Sequence, residues 1–425
     1  MTLGLRANLP QFLLLLAINA FVGALVGLER TVVPLLAGEV FGIGSAAAVA
    51  SFLVAFGPAK AFGNLFAGRL SERVGRRRVL IAGWLLGLPV PFIVILAPDW
   101  GWVVAANVLL GLNQGLAWSM TVNMKIDLAG PARRGLALGL NESAGYLAVG
   151  VMAFAAGAVA EQVGLRPEPF YLGIAVAAAG TALSVLFVRD TASHVAAEVA
   201  LHRDVDGRAA TPPTLWQAFV DGTRRRRDLQ ALAQAGFMSN ANDALVWALM
   251  PLVLLSRGLE LGAVALVAAA YPITWGLIQI PAGWLSDRIG RYPLIVAGML
   301  TQAAAVAAFA PDLGFEGALL AALALGVGTA LTYPALMAAI SDRAGPAARA
   351  TYLGVYRFWR DIGTMAGALA AGILADALGA GAAIGAIAAA TAASGVFIAL
   401  RLPRDVRSGG SPARHRADPR RRPGA

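Results

Sequence analysis

Apolar stretches of similar length recur along the whole chain and are separated by short polar breaks. As a helix, about 20 consecutive apolar residues span the hydrocarbon layer of a bilayer. The stretches lack the alternation of barrel strands, and a helix pairs its own backbone N–H and C=O groups. The pattern therefore predicts twelve transmembrane helices, at residues 9–36, 44–68, 79–97, 101–125, 135–160, 169–188, 229–255, 262–284, 293–311, 315–340, 351–375 and 380–401.

Two polar segments interrupt or end this pattern. The central one contains four consecutive arginines at 224–227 and is typical of a linker, and the last is rich in Arg, Pro and Gly, which predicts a disordered tail. The predicted organisation is an N-terminal six-helix half at residues 1–188, a linker at 189–228, a C-terminal six-helix half at 229–401 and a basic tail at 402–425.

The composition agrees with a chain that lies mostly in lipid, because 58% of the residues are hydrophobic and only 14% are charged. Soluble domains contain about 45–50% apolar and about 25% charged residues. A soluble enzyme, a disordered protein and a coiled coil are therefore excluded.

The net charge of +10 is by itself compatible with nucleic-acid binding. However, the basic loop residues lie on the side of the termini, except for Arg166 and Arg257. Such a bias predicts that both termini and the linker are cytoplasmic. We expect the membrane to be the plasma membrane, which is the inner membrane in a bacterium. We expect the basic segments to face anionic lipid, and we expect no nucleic-acid partner.

Other chemistry has little support in the sequence. There is no cysteine, and His194, His202 and His415 lie in the linker and tail without metal-ligand spacing. No phosphate-binding loop and no nucleophile–base set is visible. The sequence predicts no enzyme, no metal and no cofactor.

An internal repeat becomes visible when the sequence is shifted against itself by 215 residues. Residues 68–76 then align with 283–291, and Asp127 aligns with Asp342. The repeat predicts two parallel six-helix halves related by an axis along the membrane normal, which is a transporter design with the site between the halves.

The repeated segment Gly-x-Leu-Ser-Glu/Asp-Arg-x-Gly-Arg lies between spans 2 and 3 and again between spans 8 and 9. It resembles the signature loop of the major facilitator superfamily, and the resemblance covers about residues 9–401. It implies an all-α membrane protein with twelve transmembrane helices in two pseudo-symmetric six-helix bundles. It also implies a conformational latch, made of Gly68, Glu72, Arg73, Gly75, Arg76 and Asp127 in the first half and Gly283, Asp287, Arg288, Gly290, Arg291 and Asp342 in the second.

By this resemblance, Glu72 would accept hydrogen bonds at the start of helix 11, where a carboxylate suits the helix N-terminus. Arg76 would pair with Asp127, and the cluster would hold the outward-facing state and break when the inside opens. Glu72 stands where the family usually has aspartate. The alternative is that the arginines of the loop only determine the membrane topology.

The chain resembles the drug/proton antiporter branch of the family, but its antiporter motifs are incomplete. Helix 4 has Gly111-Leu112-Asn113-Gln114-Gly115 where that branch usually has Arg-x-x-Gln-Gly. Helix 5 lacks the usual Gly-Pro-x-x-Gly-Gly at residues 145–150. The motifs therefore support membership of the superfamily more strongly than they support proton antiport of the standard kind.

Charged residues inside the spans are expected to have a functional or structural role, because each costs at least about 2.5 kcal/mol at the bilayer centre. Asp243 has no basic residue at i±3 or i±4, and a buried carboxylate without a cationic partner takes up a proton readily. We hypothesise that Asp243 or Glu29 carries the coupling proton, with Arg30 as the competing charge; a static Arg30–Asp243 pair is the alternative. The candidate proton carriers are Asp243, Glu29, Glu142 and Asp361.

Helix 11 allows two interpretations. Lys60 of helix 2 can bridge to Asp361 across the halves, or Lys60, Arg357 and Arg360 can form a basic cluster for an anionic substrate group. Glu142 aligns with Arg357 in the repeat. That opposite sign predicts either pairing across the halves or functional asymmetry.

The repeat also aligns Trp118 with Tyr333, which predicts two aromatic walls for a largely apolar molecule with a few polar groups. The predicted cavity residues are Arg30, Lys60, Asn113, Gln114, Trp118, Asn123, Asn240, Thr332, Tyr333 and Arg357.

The sequence as a whole predicts a monomeric secondary transporter in the lipid bilayer that exports a small organic molecule coupled to protons. One alternative is uptake or exchange of a small anionic metabolite through Lys60, Arg30 and Arg357. An alternative of another class is a non-transporting receptor or scaffold that signals through the linker and tail.

Overall fold

Long helices form the protein throughout the part described by this computed structural model, which covers residues 6–129, 134–194, 214–344 and 349–402, with backbone only at 69, 72, 134–136, 287, 349 and 350. The twelve long helices of these ranges are α1 Leu9–Glu39, α2 Ala46–Val74, α3 Arg76–Leu96, α4 Trp100–Ala129, α5 Arg134–Val163, α6 Glu168–Leu186, α7 Arg227–Ala248 continued by Met250–Ser256, α8 Leu261–Ile289, α9 Arg291–Ala308, α10 Gly314–Arg343, α11 Arg349–Leu378 and α12 Ala380–Arg401.

These helices correspond to the twelve predicted spans. In the described part of the chain, ten are long and apolar enough to cross a membrane, and α7 is an eleventh if its two segments, bent by 40°, form one span. Helix α9 is the exception because it has only 18 residues, which include Arg291 and Gln302. It nevertheless packs between α10 and α12, in the place of the ninth span.

The repeat seen in the sequence is also a repeat of packing contacts. Gly111 of α4 lies against α2, so that a Cβ there would be 2.5 Å from the carbonyl oxygen of Phe56. Its counterpart Gly326 of α10 lies against α8 in the same way, 2.7 Å from the carbonyl oxygen of Tyr271. Both halves therefore pack their helices through equivalent close backbone contacts.

The two halves meet along α2–α11 and α5–α8. We call the side where α6 ends and α7 begins the linker side, and the opposite one the far side. On the far side, Gly372 of α11 packs on Ala47 of α2, and its counterpart Gly157 of α5 packs on Ala265 of α8. The halves are therefore in close contact on the far side.

The same four helices lack such close glycine contacts on the linker side. Each carries a glycine there at which an added Cβ would meet no described atom within 4 Å, and these are Gly68, Gly139, Gly283 and Gly354. Among the described residues, close glycine contacts between the halves are therefore found on the far side and not on the linker side, and in this sense we call the far side closed and the linker side open.

The end of the predicted linker is helical rather than irregular. A linker helix at Leu215–Val220 starts with a capping box at Thr214 and continues as a π-turn to Arg225. It docks on α11, because Phe219 packs against Trp359, whose indole N–H donates to Thr223 Oγ1 at 2.9 Å. The rest of the linker, residues 195–213, and the tail from residue 403 lie outside the described residues.

The packing predicts that one glycine-to-alanine variant loses stability and that another does not. A Cβ at Gly23 of α1 would clash with the backbone of Gly145 of α5, whereas one at Gly385 of α12 would meet nothing within 4 Å. We expect Gly23→Ala to lose about 1–3 kcal/mol of stability by overpacking, measured as a lower thermal unfolding midpoint in detergent. Gly385→Ala is the control and should lose none; equal midpoints would contradict the close α1–α5 contact.

Candidate functional site

A small cavity lies at the centre of the molecule, between the two halves. Its volume of about 20 Å³ leaves room for about one water molecule, so an organic ligand enters only if the halves move apart. The lining residues come from six helices and are Val26, Arg30, Phe56, Lys60, Gln114, Trp118, Tyr146, Val149, Asn240, Asp243, Trp247, Arg360 and Thr364.

Half of the predicted cavity residues are in this lining, namely Arg30, Lys60, Gln114, Trp118 and Asn240.

Two predicted cavity residues are instead bound inside their own half. The amide of Asn113 donates to the Gly83 carbonyl of α3 at 2.9 Å, while Gln114 beside it lines the cavity. Thr332 accepts from Gln302 of α9 at 3.0 Å. In this structure their side chains point toward neighbouring helices of the same half and not into the cavity.

Three others lie outside the lining. Asn123 is half-buried further along α4. Tyr333 lies behind Arg360, whose guanidinium carbon is 4.4 Å from the tyrosine ring centroid. Arg357 is likewise placed in the layer behind the cavity, where it faces Glu142.

Asp243 is buried in the cavity wall and has partners from two other helices. The Tyr271 hydroxyl of α8 donates to its Oδ1, and Arg360 Nη2 of α11 lies 4.0 Å from its Oδ2. Arg30 forms no ion pair within 4.0 Å with Asp243, although the two charges lie close enough to interact electrostatically. Tyr271 was missed in the sequence because nothing there links it to Asp243.

Asp361 is held by three side chains. The predicted bridge across the halves is present, with Lys60 Nζ at 3.6 Å from the carboxylate. Asn64 donates to it at 2.5 Å, and Arg360 Nη1 lies at 3.8 Å. This carboxylate is therefore an anchor between the halves.

Glu142 also pairs across the halves, which answers the question raised by its alignment with Arg357. Arg357 Nη2 lies 4.0 Å from Glu142 Oε1. The same oxygen accepts from the Trp118 indole at 2.9 Å and from Asn141 at 3.1 Å. Glu142 and Arg357, which are equivalent in the repeat, therefore contact each other at the pseudo-symmetry axis.

The two interfaces between the halves use different chemistry at equivalent positions. In the repeat, Lys60 aligns with Trp275, and Tyr146 aligns with Asp361. Where Lys60 and Asp361 form an ion pair, Trp275 and Tyr146 stack with ring centroids 3.5 Å apart. One interface is thus ionic and the other aromatic.

Arg30 is only 1% exposed, and its three guanidinium nitrogens have no hydrogen-bond partner among the described residues. The guanidinium instead packs on two aromatic rings, with its central carbon 4.3 Å from the Trp247 ring centroid and 4.9 Å from the Phe56 ring centroid. Glu29 points elsewhere, toward Asn107 of α4, with one carboxylate oxygen unpartnered.

Lys125 is a buried cation that the sequence analysis did not single out. It is 0% exposed, and its ammonium donates to the Leu15 carbonyl of α1 at 3.0 Å. The predicted span ended at this residue, which placed the charge at the membrane edge. The helix in fact continues to Ala129 and buries it.

The ion pair predicted at the first repeated loop is present, and an equivalent pair is found at the second. Arg76 lies 2.8 Å from Asp127, and Arg291 lies 3.3 Å from Asp342. Each pair joins helices of one half, so that both persist while the linker side is open. The side chain of Glu72 and its expected contact at the start of α11 lie outside the described residues.

The remaining loop residues have separate roles. Gly75 and Gly290 have φ values of +93° and +95°, which suit glycine at the turns between α2 and α3 and between α8 and α9. Arg73 is exposed, and Arg288 lies 3.8 Å over the Trp284 ring. The side chain of Asp287 lies outside the described residues.

The central ion pair predicts strong coupling between its partners. Asp361→Asn leaves Lys60 without its anion, and Lys60→Gln removes one of the two cations beside Asp361. We expect each variant to cost up to about 3–5 kcal/mol, and the double variant should recover about 0.5–3 kcal/mol of the summed loss. Unfolding free energies of the four proteins give this coupling. The control cycle uses Arg225 and Asp221, whose side chains are 71% and 25% exposed, and should give about 0–1 kcal/mol. Equal coupling in both cycles would contradict a central anchor.

Known proteins match this chain over most of its length. The sequence profile of the Major Facilitator Superfamily matches residues 11–224 and 232–423. An uncharacterized transporter of the major facilitator type from Bacillus subtilis (strain 168), YddS, is 27% identical over 364 residues, which are 83% of this chain and 82% of that protein.

Solved structures of two POT family transporters have the same fold. One, in complex with 5-aminolevulinic acid, has a TM-score of 0.72 at 12% identity and covers 92% of this chain and 95% of its own. The other, in complex with a thioalcohol-conjugated peptide, has a TM-score of 0.71 at 13% identity with the same coverage. At these identities the likeness concerns the fold alone.

Proposed function

The chain belongs to the Major Facilitator Superfamily and is a multi-pass secondary transporter, and we propose that it couples export of a small organic molecule to protons, with Asp243 as the proton-carrying group. It acts as a monomer in the plasma membrane, the inner membrane in a bacterium, with the linker side toward the cytoplasm. The basic loops support this orientation. The direction of transport follows from the resemblance to the antiporter branch.

The observation that carries the proposal is the position of Asp243. Its carboxylate lines the cavity and is bound at one oxygen by Tyr271 and approached at the other by Arg360. Arg360 also lies 3.8 Å from Asp361, so a second counter-charge is within reach when Asp243 takes up a proton. Protonation thus exchanges the partner of one arginine without leaving a buried cation alone.

Alternating access follows from the packing between the halves. In this structure the far side is closed and the linker side open, which is the state that receives substrate from the cytoplasm in the proposed orientation. Rocking closes the linker side. The Arg76–Asp127 and Arg291–Asp342 pairs hold the short loops in shape during this movement, since each lies within one half.

Reconstitution with a pH-sensitive dye and a panel of organic substrates tests the coupling. Wild-type protein should move protons when substrate is added, and Asp243→Asn should abolish this flux while it still inserts normally and exchanges substrate. Glu29→Gln tests the second candidate. Asp312→Asn, at an exposed far-side position, is the control and should retain the flux.

Three results would contradict the proposal. Unimpaired coupling in both Asp243→Asn and Glu29→Gln would exclude these carboxylates as proton carriers. Absence of any flux with every substrate would favour the non-transporting receptor or scaffold instead. Flux in the opposite direction, without protons, would favour uptake or exchange of an anion.

A further inference from the structure

The unsatisfied donors of Arg30 point to the class of substrate. A buried donor without a partner costs about 1–3 kcal/mol, and more when the group is charged. All three guanidinium nitrogens are in this situation, in a side chain that lines the cavity. Such a group is complementary to an acceptor that the described part of the chain does not supply.

The geometry around Arg30 leaves its donors available. The guanidinium lies over the ring faces of Trp247 and Phe56. Such cation–π contacts stabilise the positive charge but provide no hydrogen-bond acceptor for the N–H groups. The donor edge of a guanidinium matches the two oxygens of a carboxylate. Arg30 is therefore oriented by its aromatic neighbours while its hydrogen-bonding edge stays free.

The charge balance of the cavity wall favours an anion as well. Arg30, Lys60 and Arg360 line the cavity, with Asp243 as the acidic residue among the lining residues. Glu29, the neighbour of Arg30 in the sequence, does not line the cavity and lies beside Asn107 of α4. Lys60 and Arg360 are already paired with Asp361 and Asp243, whereas Arg30 forms no ion pair within 4.0 Å among the described residues, so it is the lining cation that is available to an anion.

We propose that the substrate is an organic anion with a flat apolar body. Its carboxylate is bound by Arg30, with Lys60 at the side, and its body packs against Trp118 and Trp247 once the halves separate. This assignment rests on the proposed transport function and specifies the chemistry of its site.

The test is a binding measurement on purified full-length protein with matched pairs of probes. Benzoate, 1-naphthoate and indole-3-acetate are each compared with the corresponding amide by calorimetry. We expect at least one acid to bind at least tenfold more tightly than its amide. Arg30→Gln should remove this preference, and Arg30→Lys should restore only part of it, because lysine lacks the fork of donors.

Arg401→Gln is the matched control, because Arg401 also lies over an aromatic ring, that of Phe397, but is exposed at the end of α12. It should leave the preference unchanged. Equal affinity of acids and amides, or no binding by any acid, overturns the proposal. Proton flux driven by neutral substrates would then leave the transport function standing, whereas Arg30-dependent binding without any flux would overturn only the transport function.

A second, independent observation concerns the far side. Asp376 of α11 accepts from Ser45 Oγ at 2.6 Å and from the backbone N–H groups of Ala46 at 2.7 Å and Ala47 at 3.0 Å, at the start of α2. In the other interface, Glu161 of α5 accepts from the N–H of Gly262 at 3.0 Å, at the start of α8.

These two contacts are counterparts in the repeat. A shift of 215 residues aligns Glu161 with Asp376 and Ala47 with Gly262. Both place a carboxylate at a helix N-terminus, where the helix dipole favours negative charge. Both also cross from one half to the other. Each far-side interface is therefore capped by an acid of the opposite half.

We further infer that these two caps form a latch that holds the far side closed. Opening the far side removes each carboxylate from its helix N-terminus, so neutral side chains should shift the protein toward the far-side-open state. The chain has no cysteine, and two introduced cysteines can therefore be spin-labelled without background. Leu96→Cys of the first half and Ala382→Cys of the second lie at exposed far-side positions.

Distance distributions between these labels are compared by pulsed electron paramagnetic resonance. We expect Glu161→Gln with Asp376→Asn to add a population at longer distance. The control, Asp99→Asn with Asp312→Asn, removes acid contacts at the starts of α4 and α10 that stay within one half, and should leave the distribution unchanged. The same distribution in all three proteins overturns the latch.

Discussion

The buried charges between the two halves constrain the rest of this structure, because a charge that leaves water needs a partner close by. Lys60 with Asp361 and Arg357 with Glu142 meet this need across the interface between the halves. These pairs lie between the closed far side and the open linker side. Contacts at a pivot persist while the surfaces on either side open and close. The position of these pairs therefore suits a pivot for the proposed rocking of the halves.

A symmetric scaffold carries asymmetric chemistry. The equivalent glycine contacts, the pairs of the two short loops and the far-side caps all obey the same offset in sequence. At the centre the offset instead aligns Lys60 with Trp275 and Asp361 with Tyr146. The proposed movement thus depends on the repeat, and the proposed substrate and proton chemistry depends on the positions where the repeat differs.

Local patterns predicted part of the site and missed part of it. Lys60–Asp361 was predictable because opposite charges lay at similar depth on helices that the family places together. Asn113 and Thr332 bind neighbours of their own half in this structure, because polar residues on an inner helix can face such neighbours as well as the cavity. Lys125 was missed because a hydropathy pattern ends a span at a charge, whereas the helix continues beyond it.

The sequence by itself determined the spans, the two halves and the side that carries the basic loops. These depend on the cost of unpaired backbone groups and charges in lipid, which acts on each segment separately. Only the tertiary structure decided which buried charges pair and that Arg30 is left without a hydrogen-bond partner among the described residues. Pairing depends on the rotation and spacing of helices that are distant in sequence, and no local pattern contains that information.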